Sequence, residues 1–93
     1  MKSYAAIEEI SKKFAACELE LIPVEESQTT AFAEKETEMV DIPMEMITSV
    51  IPDIAEGDII VVIHDCGNVE SVCYKDDSEK QRRIELIKVL LGK

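Results

Sequence analysis

His64, Asp65, Cys66 and Cys73 form the one close grouping in this 93-residue sequence with ligand or nucleophile chemistry. On an extended strand His64 and Cys66 point to the same side, because side chains alternate with period two. A return strand would carry Cys73 back diagonally across from them. A tetrahedral zinc site needs four nitrogen, sulfur or carboxylate ligands, usually supplied as closely spaced pairs. Here three candidate ligands, His64, Cys66 and Cys73, sit at irregular spacing, with Cys17 or Asp65 as a fourth. Thiol catalysis would need Cys66 as a thiolate activated by His64, an orienting third group and donors for an oxyanion. The chain offers one histidine and no glycine-rich turn at Cys66. The plainer reading makes Cys17 and Cys73 small core residues and Cys66 part of a turn. The expectation is therefore a non-catalytic protein with no bound metal and no cofactor. A small metal- or thiol-dependent enzyme using His64, Cys66 and Cys73 stands as the alternative.

A protein module would need other surfaces. Met39, Met44 and Met46, with Ile47, could line an adaptable groove, since methionine fits irregular partners. Residues of this kind also plug the end of a small barrel. A barrel edge left open near residues 23–30 could accept a partner strand. Lys80, Arg82 and Arg83 are the cations that could meet nucleic acid. Twenty acidic against ten basic side chains give a net charge of −10. Residues 78–93 carry +3 of this and residues 1–77 carry −13. A field of that sign repels phosphate backbones and anionic lipids, so neither nucleic acid nor membrane is the expected partner. An unidentified protein, or a second copy of the chain, is.

The elements that must position these residues fit one domain spanning 1–93. The longest apolar run, Ile59–Ile63, is far too short to cross a bilayer. The first residues lack the apolar stretch of a secretion signal, and three cysteines make no disulfide framework. A reduced, cytoplasmic setting is the expectation.

From Ile7 to Leu21 the pattern fits either a helix or two strands joined at Ser11-Lys12-Lys13. Residues 23–30 read as a loop, within an insertion over 23–37. Glu38–Ile42 alternates as a strand. Pro43 holds Ile42 extended and opens a helical turn through Ile47. Glu56-Gly57-Asp58 reads as a turn, with Gly57 free to take positive φ, launching a strand. Gly67-Asn68 reads as a tight hairpin turn with glycine first. With Cys66 opposite Val69, Ile59, Val61 and Ile63 share a face with Val72 and Tyr74. Ile60 and Val62 then share the other face with Val69 and Cys73. Both faces are apolar, so both should be covered. Asp76 or Asp77 caps a helix over 77–92, and its stripe of Ile84, Leu86, Ile87, Leu90 and Leu91 should pack on the hairpin.

Val40-Asp41-Ile42-Pro43, Ile54-Ala55-Glu56-Gly57-Asp58-Ile59-Ile60, Lys75-Asp76-Asp77 and the basic final helix together resemble a family of small acidic bacterial proteins. That family is catalogued as domain of unknown function 3006. The resemblance implies strands, not a helix, between Ile7 and Leu19. It further implies a mainly β, α+β fold: a five-stranded antiparallel barrel, SH3-like or OB-like, over residues 1–76, with the C-terminal helix packed on it. It implies no activity. Two features depart from the family pattern: the first turn lacks glycine, and 23–37 is inserted.

Overall fold

The computed structural model describes residues 1–31 and 34–92. Its five strands are β1 (Lys2–Ile10), β2 (Phe14–Glu20), β3 (Thr37–Pro43), β4 (Ile59–Asp65) and β5 (Asn68–Lys75). Short helices α1 (Val24–Ser27) and α2 (Met44–Thr48) interrupt them, and α3 (Asp77–Leu90) follows. The sheet is antiparallel, in the order β3-β2-β1-β4-β5.

The ambiguous opening is a hairpin. Ser11 closes its turn by accepting the Phe14 N–H on Oγ at 3.3 Å and donating its own N–H to the Phe14 carbonyl at 2.8 Å. Strand pairing wins over the helical spacing because it puts Ile7, Ala15, Cys17 and Leu19 on one buried face.

The sheet curls into a half-barrel around that face. Ala5, Ile60, Val62 and Val72 join the same core, and Ile42, Ile47 and Ile51 close it from β3 and the α2 region. The strands at the two ends of the order, β3 and β5, do not pair with each other, so the expected barrel stays open along one seam. Pro43 precedes α2 as its N-cap, as the proline signal required. The Glu-Gly-Asp turn also holds. Gly57 takes φ +91° and its N–H meets the Ile7 carbonyl at 2.8 Å, while the Asp58 carbonyl accepts from Ile7 N at 2.9 Å.

Three expectations need correcting. Residues 23–30 are not simply loop: Pro23, extended at ψ 155°, opens the single helical turn α1. Its neighbours 32 and 33, within the supposed insertion, lie outside the described residues.

The hairpin turn is Cys66-Gly67, not Gly67-Asn68, and Asn68 already pairs with Asp65 in β5. Both turn residues have positive φ, +50° and +91°, the mirror-image turn whose twist suits adjoining strands. Glycine still takes a left-handed position, but the second one, and Cys66 bears the strain of the first. The return strand is displaced accordingly. Val72 joins Ile60 and Val62 inside, while Cys73 joins Ile59, Val61 and Tyr4 outside. Val69 keeps its expected side because the ladder shifts again between Ile63 and His64.

The third correction concerns α3. Asp76 caps it, Oδ1 accepting the Glu79 N–H at 2.9 Å. Yet Ile84, Ile87 and Leu91 are 37%, 49% and 66% exposed, and Leu86 and Leu90 are exposed too. The stripe expected to hold the helix down does not.

Candidate functional site

The outer face of the sheet carries a second, smaller apolar cluster of Tyr4, Ile59 and Val61, flanked by Ala6, Cys73 and Val24 of α1. Over it the first turns of α3 dock through charge. Glu79, only 4% exposed, receives Arg82 Nε and Nη2 at 2.8 and 2.7 Å and Arg83 Nε at 2.7 Å. Burial alone would raise the Glu79 carboxyl, but the two guanidinium groups outweigh it and hold the group below its ordinary range.

Arg83 then reaches into β2. Its Nη2 lies 2.8 Å from Glu20 Oε2, and its guanidinium sits 5.1 Å above the Tyr4 ring centroid. Glu20 also accepts from Ser27 Oγ and lies 3.7 Å from Lys35 Nζ. Burial lowers the Lys35 ammonium and is the main cause that pushes the Tyr4 phenol up to about 12. The Tyr4 hydroxyl accepts from Gln28 Nε2 at 3.0 Å and donates to Asp76 Oδ2 at 3.3 Å. Lys80 completes the clasp at Asp58, 2.9 Å away, whose side chain also accepts the Ala55 N–H. Burial works against the Asp58 anion, yet Lys80 and the Ala55 N–H keep its carboxyl low.

Lys80, Arg82 and Arg83, the cations considered for nucleic acid, are thus each bound to a carboxylate of this chain. The helix is held down by this polar clasp over its first two turns. Beyond Arg83 it overhangs.

Under the overhang lie two grooves. One, of about 590 Å³, runs between Arg82, Leu86 and Leu90 and the segment Gln28–Ala31. The other, about 250 Å³, lies between Arg83 and Ile87 above and Glu18, Glu20, Lys35 and Thr37 below. Glu18 pairs with Met39 and Glu20 with Thr37, so these four side chains share the outer face of β2 and β3. Met39, 58% exposed, continues that floor. The exposed aliphatic side chains of α3 and the open Glu18 carboxylate on the floor form the candidate docking surface.

The structure divides the methionine group. Met44 and Met46 pack against the inner core and Ile47 is wholly buried, so these three close the open end of the half-barrel. Only Met39 remains available to a partner.

It also splits the His64 group: His64, Asp65 and Cys66 border one cavity of about 410 Å³, while Cys73 lies on the other face of the sheet. His64 is 2% exposed on the inner side. Its Nε2 lies 2.9 Å from Ser3 Oγ, which donates to the Ile22 carbonyl at 2.7 Å, and its Nδ1 accepts the Gly67 N–H at 3.2 Å. Both ring nitrogens are therefore committed. The donor at Nδ1 and the hydroxyl bond to Ile22 fix the neutral Nε2–H form. Burial, and then the Met1 ammonium, lower its pKa. Cys73 faces the outer cluster and Cys17 the inner core, where burial pushes its thiol up to about 12. Cys66 is exposed in the turn. Among the described residues no three His, Cys, Asp or Glu side chains converge as a metal site, and no helix is long and apolar enough to cross a membrane.

Glu20 and Glu79 were missed from the sequence because each looks like one more surface acid. A hint lay in Glu79-Lys80-Gln81-Arg82-Arg83, where one carboxylate precedes two arginines at helical spacings of three and four.

No family model matches the chain, and comparison with curated proteins and with solved structures finds no match.

Proposed function

We propose that this chain is a non-catalytic protein-interaction module that docks its partner on the overhanging half of α3. The observation that carries this reading is the exposure of six aliphatic side chains along one helix: Ile84, Leu86, Ile87, Val89, Leu90 and Leu91. Together they leave open an area on the order of 600 Å², at the upper end of what an isolated soluble domain carries, and patches of that size mark interaction sites. The polar clasp at Glu79 and Arg83 supports it further, because it anchors the helix without using the stripe. The family resemblance of the C-terminal two-thirds fits a small β scaffold and adds no chemistry.

The test is a photo-crosslinking residue in place of Leu90 in the expressed protein, with the same residue at the exposed position Glu45 as control. A discrete adduct is expected at 90 and not at 45. No adduct at 90, or the same smear at both positions, overturns the reading.

A further inference from the structure

The stripe and the floor beneath it differ in a way that selects an occupant. The roof of the grooves is aliphatic beyond Arg82 and Arg83, which are turned to carboxylates of the chain. In the floor, on the outer face of β2 and β3, Glu20 is taken by Arg83 and Lys35, which leaves the Glu18 carboxylate open beside Thr37 and the thioether of Met39. The body that carries this floor has a net charge of −13. What fits is a short amphipathic helix whose apolar side is aliphatic and whose flank is cationic. The chain owns such a segment. The last turns of α3 carry Leu86, Ile87, Leu90 and Leu91 beside Lys88, within a stretch whose net charge is +3. Lys88 is 64% exposed and stands 4.0 Å from Glu85, itself 60% exposed, an ion pair that gives way at almost no cost.

The helix cannot satisfy its own groove. It is clamped at Glu79 and Arg83, and its apolar side stays exposed beyond them. A second copy can. Resting on the reading above, we infer that two chains pair about a two-fold axis, each laying the end of its α3 beneath the overhang of the other. In this arrangement Leu90 and Ile87 of each copy are covered by the stripe of the other, and Lys88 of each meets Glu18 of its mate. The contact is self-complementary, as a two-fold interface must be. It also closes, so no chain of molecules propagates. Full coverage of the exposed aliphatic side chains on both copies removes at most roughly 1,200 Å² from water, the size at which specific complexes begin. Opposite local charge draws together bodies whose total charge of −10 would keep them apart.

Sedimentation velocity on the full chain, from micromolar to submillimolar concentration, is the experiment. The expected result is a monomer–dimer equilibrium in that concentration range. Leu90→Glu should raise the dissociation constant at least tenfold, about 1.4 kcal/mol, with the unfolding midpoint of the monomer unchanged because Leu90 is exposed. Glu18→Lys alone and Lys88→Glu alone should each weaken the dimer, and the two together should restore most of the loss. A chain that stays monomeric throughout overturns the self-pairing. So does a dimer indifferent to Leu90→Glu, or one in which the double charge exchange rescues nothing. A crosslink from position 90 to a protein of different mass, with no self-adduct, would overturn the second copy as occupant while leaving the interaction module standing. Absence of any crosslink would remove both.

Discussion

Arg83 sits over Tyr4, 5.1 Å from the ring centroid, with its Nε on Glu79 and its Nη2 on Glu20. One side chain therefore ties α3 to β1 and β2 at once. The aromatic face, a helix carboxylate and a strand carboxylate all converge on it. That junction takes the place of the apolar contact that an amphipathic helix normally makes with a sheet.

Arg83→Ala should accordingly destabilise the fold by about 2 kcal/mol, since it removes the cation shared by Glu79 and Glu20, which keep Arg82 and Lys35. Arg83→Lys should recover only part of this, because an ammonium cannot bond two carboxylates in a plane and stack on the ring together. Urea unfolding of the two variants measures the difference. Equal stability for Ala and wild type would mean that the clasp is not what holds α3.

The apolar residues of α3 should behave as surface in the monomer. Leu90→Ala is expected to change the unfolding free energy by no more than about 0.5 kcal/mol at concentrations too low for association. Ile60→Ala, at a wholly buried inner position, should cost about 2–5 kcal/mol. A large loss at Leu90 under dilute conditions would show that the stripe packs within its own chain.

His64 gives the fold a pH dependence of definite sign. Its folded-state pKa lies below the ordinary 6.5. The unfolded chain therefore takes up this proton more readily, and stability is fully present above pH 6.5 and falls as pH drops below it. Protonation at Nδ1 would also displace the Gly67 N–H. His64→Gln should flatten this part of the profile of unfolding free energy against pH. Asp58 and Glu79, held below 3.8 and 4.5, add a second loss at more acid pH by the same rule. A profile unchanged by His64→Gln between pH 7 and pH 5 contradicts the assignment.

The hairpin turn supplies a pair of opposite effects. Gly67→Ala places a Cβ at positive φ and 2.6 Å from Glu38 Oε2, so it should destabilise by about 1 kcal/mol or more. Cys66→Asn puts the preferred residue at the first position of this turn and should stabilise by a few tenths of a kcal/mol. Thermal unfolding of both variants under reducing conditions reads the signs. Destabilisation by Cys66→Asn would argue for a different turn.

Much of the scaffold was legible because it rests on local signals. Pro43 before α2, the Glu56-Gly57-Asp58 turn and the Asp76 cap each follow from the backbone limits of one or two residues. The hairpin register was not, since Cys66 in the left-handed region runs against its intrinsic preference and only the completed ladder makes it worthwhile. The docking of α3 was hidden for another reason. Periodicity shows which apolar residues of the helix share a side and not how far the sheet extends beneath them. The buried positions fall to Glu79 and Arg83 because the sheet's outer face offers Tyr4 and Glu20 at that point.

The seam between β3 and β5 has a further consequence for how this molecule lives at high concentration. An uncapped strand border is a template on which other chains can polymerise as fibrils. On β3 that border is guarded by Glu38, Asp41 and the N–H-deficient Pro43, all exposed. The guard is electrostatic apart from the one imino acid, so salt that screens these charges weakens it while the ladder beneath is still intact. Concentrated solutions at high salt, and not heat alone, are where this protein is most exposed to ordered aggregation.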